Sequence, residues 1–156
     1  MTMQRCNNIY NHPQYRSRMA HIEESEKDRE FCLHNLSHAF DVARIGRIMI
    51  LEQGLDIDTE LFYVAALLHD AGRCSGIPHN EAGARLAEQI MPECGFTAQE
   101  TELVAGAVRG HRTRQDRTDF SSILYAADKK SRLCFACKAA DECYWSDEKR
   151  NMNIEV

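Results

Sequence analysis

The chain has 156 residues, 44% of them apolar, and a net charge of −5; that is enough apolar material for one core and predicts a single domain over 1–156. The acidic balance excludes a general affinity for nucleic acid or for an anionic membrane surface, both of which need Lys and Arg in excess on one face. No segment approaches the length of a membrane span and the polar stretch from Met1 to Ser17 carries no targeting signal, so the expected location is the cytoplasm. Seven cysteines, an odd number without a secretory signal, read as reduced thiols.

In chain order the pattern is helical nearly throughout, with apolar residues three and four apart and no run that alternates like a strand. Pro13 opens a helix through Met19 and Ile22, and the charged run Glu23 to Glu30 either continues it or forms a second, as a solvated face. Asn35 to Gln53 places Leu36, Phe40, Ala43, Ile48 and Leu51 near one face and stops at Gly54. Asp58 caps a nearly all-apolar helix that ends at His69. Asn80 is expected to cap a helix to Met91, ended by Pro92 and Gly95, and Thr97 with Glu100 forms a capping box for a helix that ends near Gly110 and His111. A polar loop from Arg112 to Arg117 follows. Asp119 opens a last long helix through Ile123, Leu124, Ala127, Leu133 and on to Ala140. The fold class expected is all-α, a bundle of about six to seven helices. Residues 1–30 form a helical extension, 31–132 the core with the site, and 133–156 a cysteine-containing C-terminal helix and tail.

The chemistry centres on His69 and Asp70, which leave an apolar helix together. Burying an imidazole and a carboxylate costs several kcal/mol, on the order of a lost solvation shell, unless each is paired or binds a metal. The partners on offer are His38, His79, His111 and Asp128. Mixed imidazole and carboxylate ligands suit Fe, Mn, Co, Ni or Zn, whereas Mg prefers oxygen alone. His38, His69, Asp70 and Asp128 suffice for one ion. His79 and His111 can hold a second, with Asp70 as the bridge, since a carboxylate has two oxygens and an imidazole cannot span two metals.

His38 followed by Val42, Ala43 and Arg44, the adjacent His69 and Asp70, and Leu124 to Lys129 around Asp128 together resemble the HD-domain superfamily of metal-dependent phosphohydrolases. The resemblance covers about Asn35 to Arg132. Ala71, Gly72, Arg73 and Cys74 stand where alarmone-hydrolysing members carry an acidic pair, and the Gly-Tyr-Pro signature of cyclic-dinucleotide phosphodiesterases is absent. His79 with Glu81 to Ala84, then His111, then the Asp128 helix, are similar in order to the small five-histidine members, which include bacterial symmetrical diadenosine tetraphosphate hydrolases. The resemblance implies a metal-dependent phosphohydrolase with two divalent ions, a water nucleophile and a small phosphorylated substrate such as a nucleotide.

Asp70, Arg73 and Lys129 are the expected catalytic residues. Arg73, Arg109, Arg112 and Lys129 lie within four residues of a ligand and are the candidates for gripping phosphate. His34, four residues before His38, is expected on the same helical face, as substrate contact or support for a ligand. The competing functions are an HD-type diiron oxygenase and a non-catalytic nucleotide-binding or sensing module; a homodimer is left open. His12 and His21 read as structural or solvent-facing. Cys134 and Cys137, on adjacent turns of the predicted last helix, and Cys143 can ligate zinc or an iron-sulfur centre if Cys32 or Cys6 adds a fourth thiol, but packing beside Phe135, Tyr144 and Trp145 is the preferred reading. Cys32, Cys74 and Cys94 read as small buried hydrophobes.

Overall fold

The computed structural model describes residues 2–113 and 119–154, so part of the polar loop predicted at Arg112 to Arg117 lies outside the described residues. The described chain is all-helical. Seven α-helices run in the order α1 Gln4–Asn11, α2 Pro13–Glu26, α3 Leu36–Glu52, α4 Thr59–Leu68, α5 His79–Ile90, α6 Ala98–Gly110 and α7 Phe120–Lys130.

The helices begin where side chains satisfy orphan backbone donors. Asn35 accepts from the His38 N–H at 3.0 Å, Asp58 from Leu61 at 2.8 Å and Asp119 from Ser122 at 3.0 Å, while Thr97 and Glu100 close the capping box. α5 differs from its expected start. It begins at His79 after Pro78, with no side-chain cap, and the Asn80 amide instead donates to the Arg109 carbonyl on α6.

α4 is the centre of the bundle and packs on α1, α3, α5, α6 and α7. That is why its residues are apolar on every side: Leu61, Phe62 and Val64 through Leu68 are all buried. Full burial of a side chain the size of Phe62 contributes roughly 1.5–3 kcal/mol. α3 approaches α4 at Gly46, where an added Cβ would stand 2.0 Å from the Phe62 ring. α3 therefore buries the face of His38, Ala39, Val42, Ala43, Gly46, Met49 and Ile50. The predicted face was rotated: Ile48 and Leu51 are exposed.

α1 lies inside the helical extension expected over 1–30, although no separate helix was placed before Pro13. Its sequence is polar, with only Cys6 and Ile9 buried, and its own Arg5 holds it to the rest of the bundle. That guanidinium donates to Glu60 at 3.0 Å and Glu100 at 2.8 Å and lies over the Phe96 ring. His12 joins α1 to α2 by accepting from the Gln14 N–H, and His21 faces the Cys74 carbonyl. Two further expectations are corrected. The last helix stops at Lys130, not near Ala140, and the chain continues through 3-10 turns at Cys134–Ala136 and Ala140–Glu142. Cys74 is exposed, at a positive φ of 58°, and Cys32 is only partly buried; Cys94 alone of the three predicted buried thiols is buried.

Candidate metal centre

His38 lies on the first turn of α3, His69 and Asp70 follow the last turn of α4, His79 opens α5, His111 closes α6 and Asp128 lies on the last turn of α7. The structure brings all six together. Three helix C-termini end here, and their unpaired carbonyls carry partial negative charge that favours a cation.

Those same carbonyls orient the rings. His69 Nδ1–H donates to the Ala66 carbonyl at 2.7 Å and His111 Nδ1–H to Val108 at 2.6 Å. Ser131 donates its hydroxyl to the Asp128 carbonyl at 2.7 Å, which leaves its oxygen to accept from His38 Nδ1–H at 3.3 Å. In each case Nδ1 is engaged and Nε2 faces inward, the arrangement that fixes a metal-ligating imidazole.

Asp70 divides the inward atoms into two sets. Its Oδ2 lies 3.0 Å from His69 Nε2 and 3.5 Å from His38 Nε2; its Oδ1 lies 3.6 Å from His79 Nε2 and 4.0 Å from His111 Nε2. Asp128 Oδ1 completes the first set, 3.2 Å from His38 and 3.7 Å from His69. The ligand atoms of His38, His69, Asp70 and Asp128 all lie within 4.8 Å of one another, as do those of Asp70, His79 and His111.

These groups fit a metal ion better than they fit each other. His38 Nε2 and His69 Nε2 are buried without a hydrogen-bond partner although carboxylate oxygens stand close by. They and the carboxylates share a point in space and not a bond axis, which is how ligands of one cation are arranged. Burial opposes a charge on His69, yet the Asp70 and Asp128 carboxylates overcome it and push its pKa up to about 10. Burial likewise opposes ionisation of Asp70 and Asp128, but the imidazoles hold both well below the usual carboxylate range. One proton thus balances two buried carboxylates, a role that a divalent cation fills with more charge. Burial lowers His79 and pushes His111 down to about 4, so both are neutral donors at pH 7.

Gly72 sets the distance between the two halves. A Cβ there would meet the His79 carbonyl at 2.1 Å and the Gly83 nitrogen at 2.3 Å, so only glycine lets the turn after Asp70 lie against the start of α5. Arg18 on α2 holds the turn from the other side, donating to the Ala71 carbonyl at 3.2 Å and to Arg73 at 2.7 Å.

The predicted cations lie around this centre in different states. Arg73 donates to Glu26 at 3.1 Å. Arg109 is held on the surface by Glu81 at 2.9 Å and Glu88 at 2.7 Å, and Arg112 is exposed beyond His111. Lys129 donates to Asp128 Oδ2 at 2.5 Å and lies 4.5 Å above the Trp145 ring and 5.3 Å from that of Tyr125. His34 precedes α3 and is not on its helical face, but its ring still reaches 6.1 Å from that of His38.

Glu26 was missed. It is buried and accepts from the His34 N–H at 2.9 Å, from His34 Nδ1 at 2.7 Å and from Arg73. It corrects the reading of Glu23 to Glu30 as a wholly solvated face. The signal was in the spacing: Tyr15, Met19 and Ile22 form the buried stripe of α2, and Glu26 is its next position. Ser131, one turn beyond Asp128 on the same face, could have been found the same way.

Comparison with known proteins agrees with this geometry. A protein of Clostridium beijerinckii described only as uncharacterized is 38% identical over 156 residues, covering 97% of this chain and 99% of its own. A crystal structure of a predicted HD superfamily hydrolase from an uncultured Thermotogales bacterium superposes with a TM-score of 0.62 at 28% identity, over 90% of this chain and 83% of that one. Bifunctional uridylyltransferase/uridylyl-removing enzymes match in part: that of Azospirillum brasilense is 47% identical over 55 residues, 35% of this chain and 6% of the enzyme. Among the described residues no helix is long and apolar enough to cross a membrane. The HD domain pattern itself matches residues 35–144, from the cap of α3 to beyond the last ligand helix, and the chain therefore belongs to the HD domain family.

Proposed function

We propose that this HD domain protein is a metal-dependent phosphohydrolase acting on a small phosphorylated compound, with a nucleotide as first choice. The single observation that supports it most is the division of Asp70, one oxygen toward His38 and His69 and the other toward His79 and His111. In this reading His38, His69, Asp70 and Asp128 hold one divalent transition-metal ion, and Asp70, His79 and His111 hold a second. Such a pair supplies an acidified water and positive charge for phosphoryl oxygens, so no protein nucleophile is needed.

The protein's own part is positioning. Arg73 is fixed at the edge of the centre by Glu26, and a planar guanidinium held there can grip two phosphoryl oxygens. Both Arg73 and Arg112 act electrostatically on His79, which puts their charge on the side of the second ligand set. Lys129 has three donors, of which Asp128 takes one. A role for Arg109 requires it to leave Glu81 and Glu88, so the proposal rests on Arg73, Arg112 and Lys129. His34, locked by Glu26, serves to keep Arg73 and His38 in place. The activity named for the partial relatives, uridylyl removal, involves a nucleotide-derived group and supports the nucleotide choice.

The test is a phosphatase and phosphodiesterase screen of metal-reconstituted protein against nucleotides and dinucleoside polyphosphates, repeated on Arg73→Ala. Turnover that falls in Arg73→Ala at unchanged metal content supports the reading. Loss of metal from that variant would make Arg73 structural.

A further inference from the structure

We propose that Cys32, Cys134, Cys137 and Cys143 form a second metal site, a four-thiolate structural site for one zinc ion that ties residues 131–151 to the segment before α3. The site is independent of the proposed catalytic reaction. Its residues come from two stretches about a hundred positions apart, and Cys134-Phe-Ala-Cys137 followed six residues later by Cys143 has the close spacing of zinc ligands.

The fold brings the stretches together. Cys32, Cys134 and Cys137 line one groove, which also reaches His38. Phe31, the neighbour of Cys32, meets Tyr144, the neighbour of Cys143, edge to face with ring centroids 6.2 Å apart. Arg132 donates to the Leu33 carbonyl at 2.6 Å and fixes the same two stretches from the other end. Burial pushes the Cys32 thiol up, Arg132 opposes this, and Cys134, Cys137 and Cys143 all act on it. Burial therefore keeps this thiol neutral, and a bound cation would be what ionises it.

Packing does not explain these thiols. Between 133 and 154, Cys134 is the one buried apolar side chain among the described residues, and it lies outside the main core. Phe135 is 40% exposed and Tyr144 76%, so the preferred packing reading of the cluster is not supported. A segment this long has only 3-10 turns and no apolar face; the Asn151 side-chain amide donates to the Lys130 and Arg132 carbonyls and the Arg150 guanidinium to the Ala140 carbonyl, and a metal staple would add to these few ties. The groups whose ligand atoms already stand within 4.8 Å of one another are those of the His/Asp centre, so zinc binding requires the four thiols to move closer together. Zinc fits better than an iron-sulfur cluster, whose bacterial motif repeats cysteines every three residues. Trp145, two residues past Cys143, rests on Lys129 beside Asp128. The staple would therefore fix one wall of the metal centre.

The test uses the intact chain. Purified protein should hold one zinc per chain that survives His69→Ala, and titration with a mercurial should release that zinc as four thiols react. Replacement by cobalt should give a sulfur-to-cobalt charge-transfer band, lost in Cys134→Ser and Cys143→Ser and kept in Cys6→Ser and Cys74→Ser. If the serine variants fail to fold, the mercurial titration of the unaltered protein decides alone. No thiol-linked zinc release, no cobalt-thiolate band, or an iron-sulfide chromophore overturns the proposal.

Discussion

Gly72→Ala adds one methyl at the point where the turn after Asp70 meets α5. The new Cβ would lie 2.1 Å from the His79 carbonyl oxygen and 2.3 Å from the Gly83 nitrogen, where ordinary contact begins at 3.4 Å. Both neighbours are backbone, so no rotamer relieves the clash. α5 must move by about 1 Å, a shift of the size that costs on the order of 10²-fold in rate when it misplaces a reacting group. His79 rides on that backbone, so its 3.6 Å approach to Asp70 Oδ1 opens, while His38, His69 and Asp128 keep their places on other helices. Overpacking of this kind costs roughly 1–3 kcal/mol, and a chain of this size loses about 2–4 °C in Tm per kcal/mol. The expected result is a folded protein with lower Tm that binds metal at the first ligand set and loses it at the second. Metal content by mass spectrometry together with thermal unfolding measures both. A Gly72→Ala protein with native metal content, native activity and native Tm would refute the reasoning.

Ser131→Ala removes the acceptor that holds His38 Nδ1, and metal affinity is expected to fall about 10–100-fold with little change in helix content, measured by competition with a chelator. Removal of metal by a chelator should lower Tm, since a ligand at about 100 times its Kd stabilises by about 2.7 kcal/mol; an unchanged Tm would argue against a bound ion. Glu26→Gln removes the charge that joins His34 and Arg73 and should cost about 1.5–3 kcal/mol at pH 7. Burial opposes the Glu26 charge, but His34 and Arg73 hold its pKa below 4.5. The carboxylate's contribution is therefore present above the unfolded value and lost as pH falls through the lower folded value. Native protein and Glu26→Gln should converge in denaturant midpoint in acid and diverge above about pH 5.

The caps made the fold legible, because Asn35, Asp58, Thr97, Glu100 and Asp119 act on backbone donors within three residues of themselves. The candidate site was legible for a related reason: a histidine at a helix end can use the last carbonyls to orient its ring, so His69 and His111 stand where the helical pattern stops. What depends on distant partners was not legible. α1 is held by Arg5 reaching α4 and α6, and the buried face of α3 is set by Phe62 entering at Gly46. Leu133 continued the apolar period of α7 in the sequence, yet it is exposed, because Arg132 turns back to the Leu33 carbonyl and ends the helix. Glu26 was hidden by its charge, which looks solvated until His34 and Arg73 are placed around it.

The division of Asp70 between two ligand sets is tested most directly by hydrolysis of a nucleotide panel with metal-reconstituted native protein and Asp70→Ala, followed by product release and, with iron, by oxygen uptake. The proposed function predicts hydrolysis by the native protein and its loss in Asp70→Ala. Hydrolysis that persists without Asp70, or oxygen uptake with no hydrolysis of any phosphorylated compound, would contradict it.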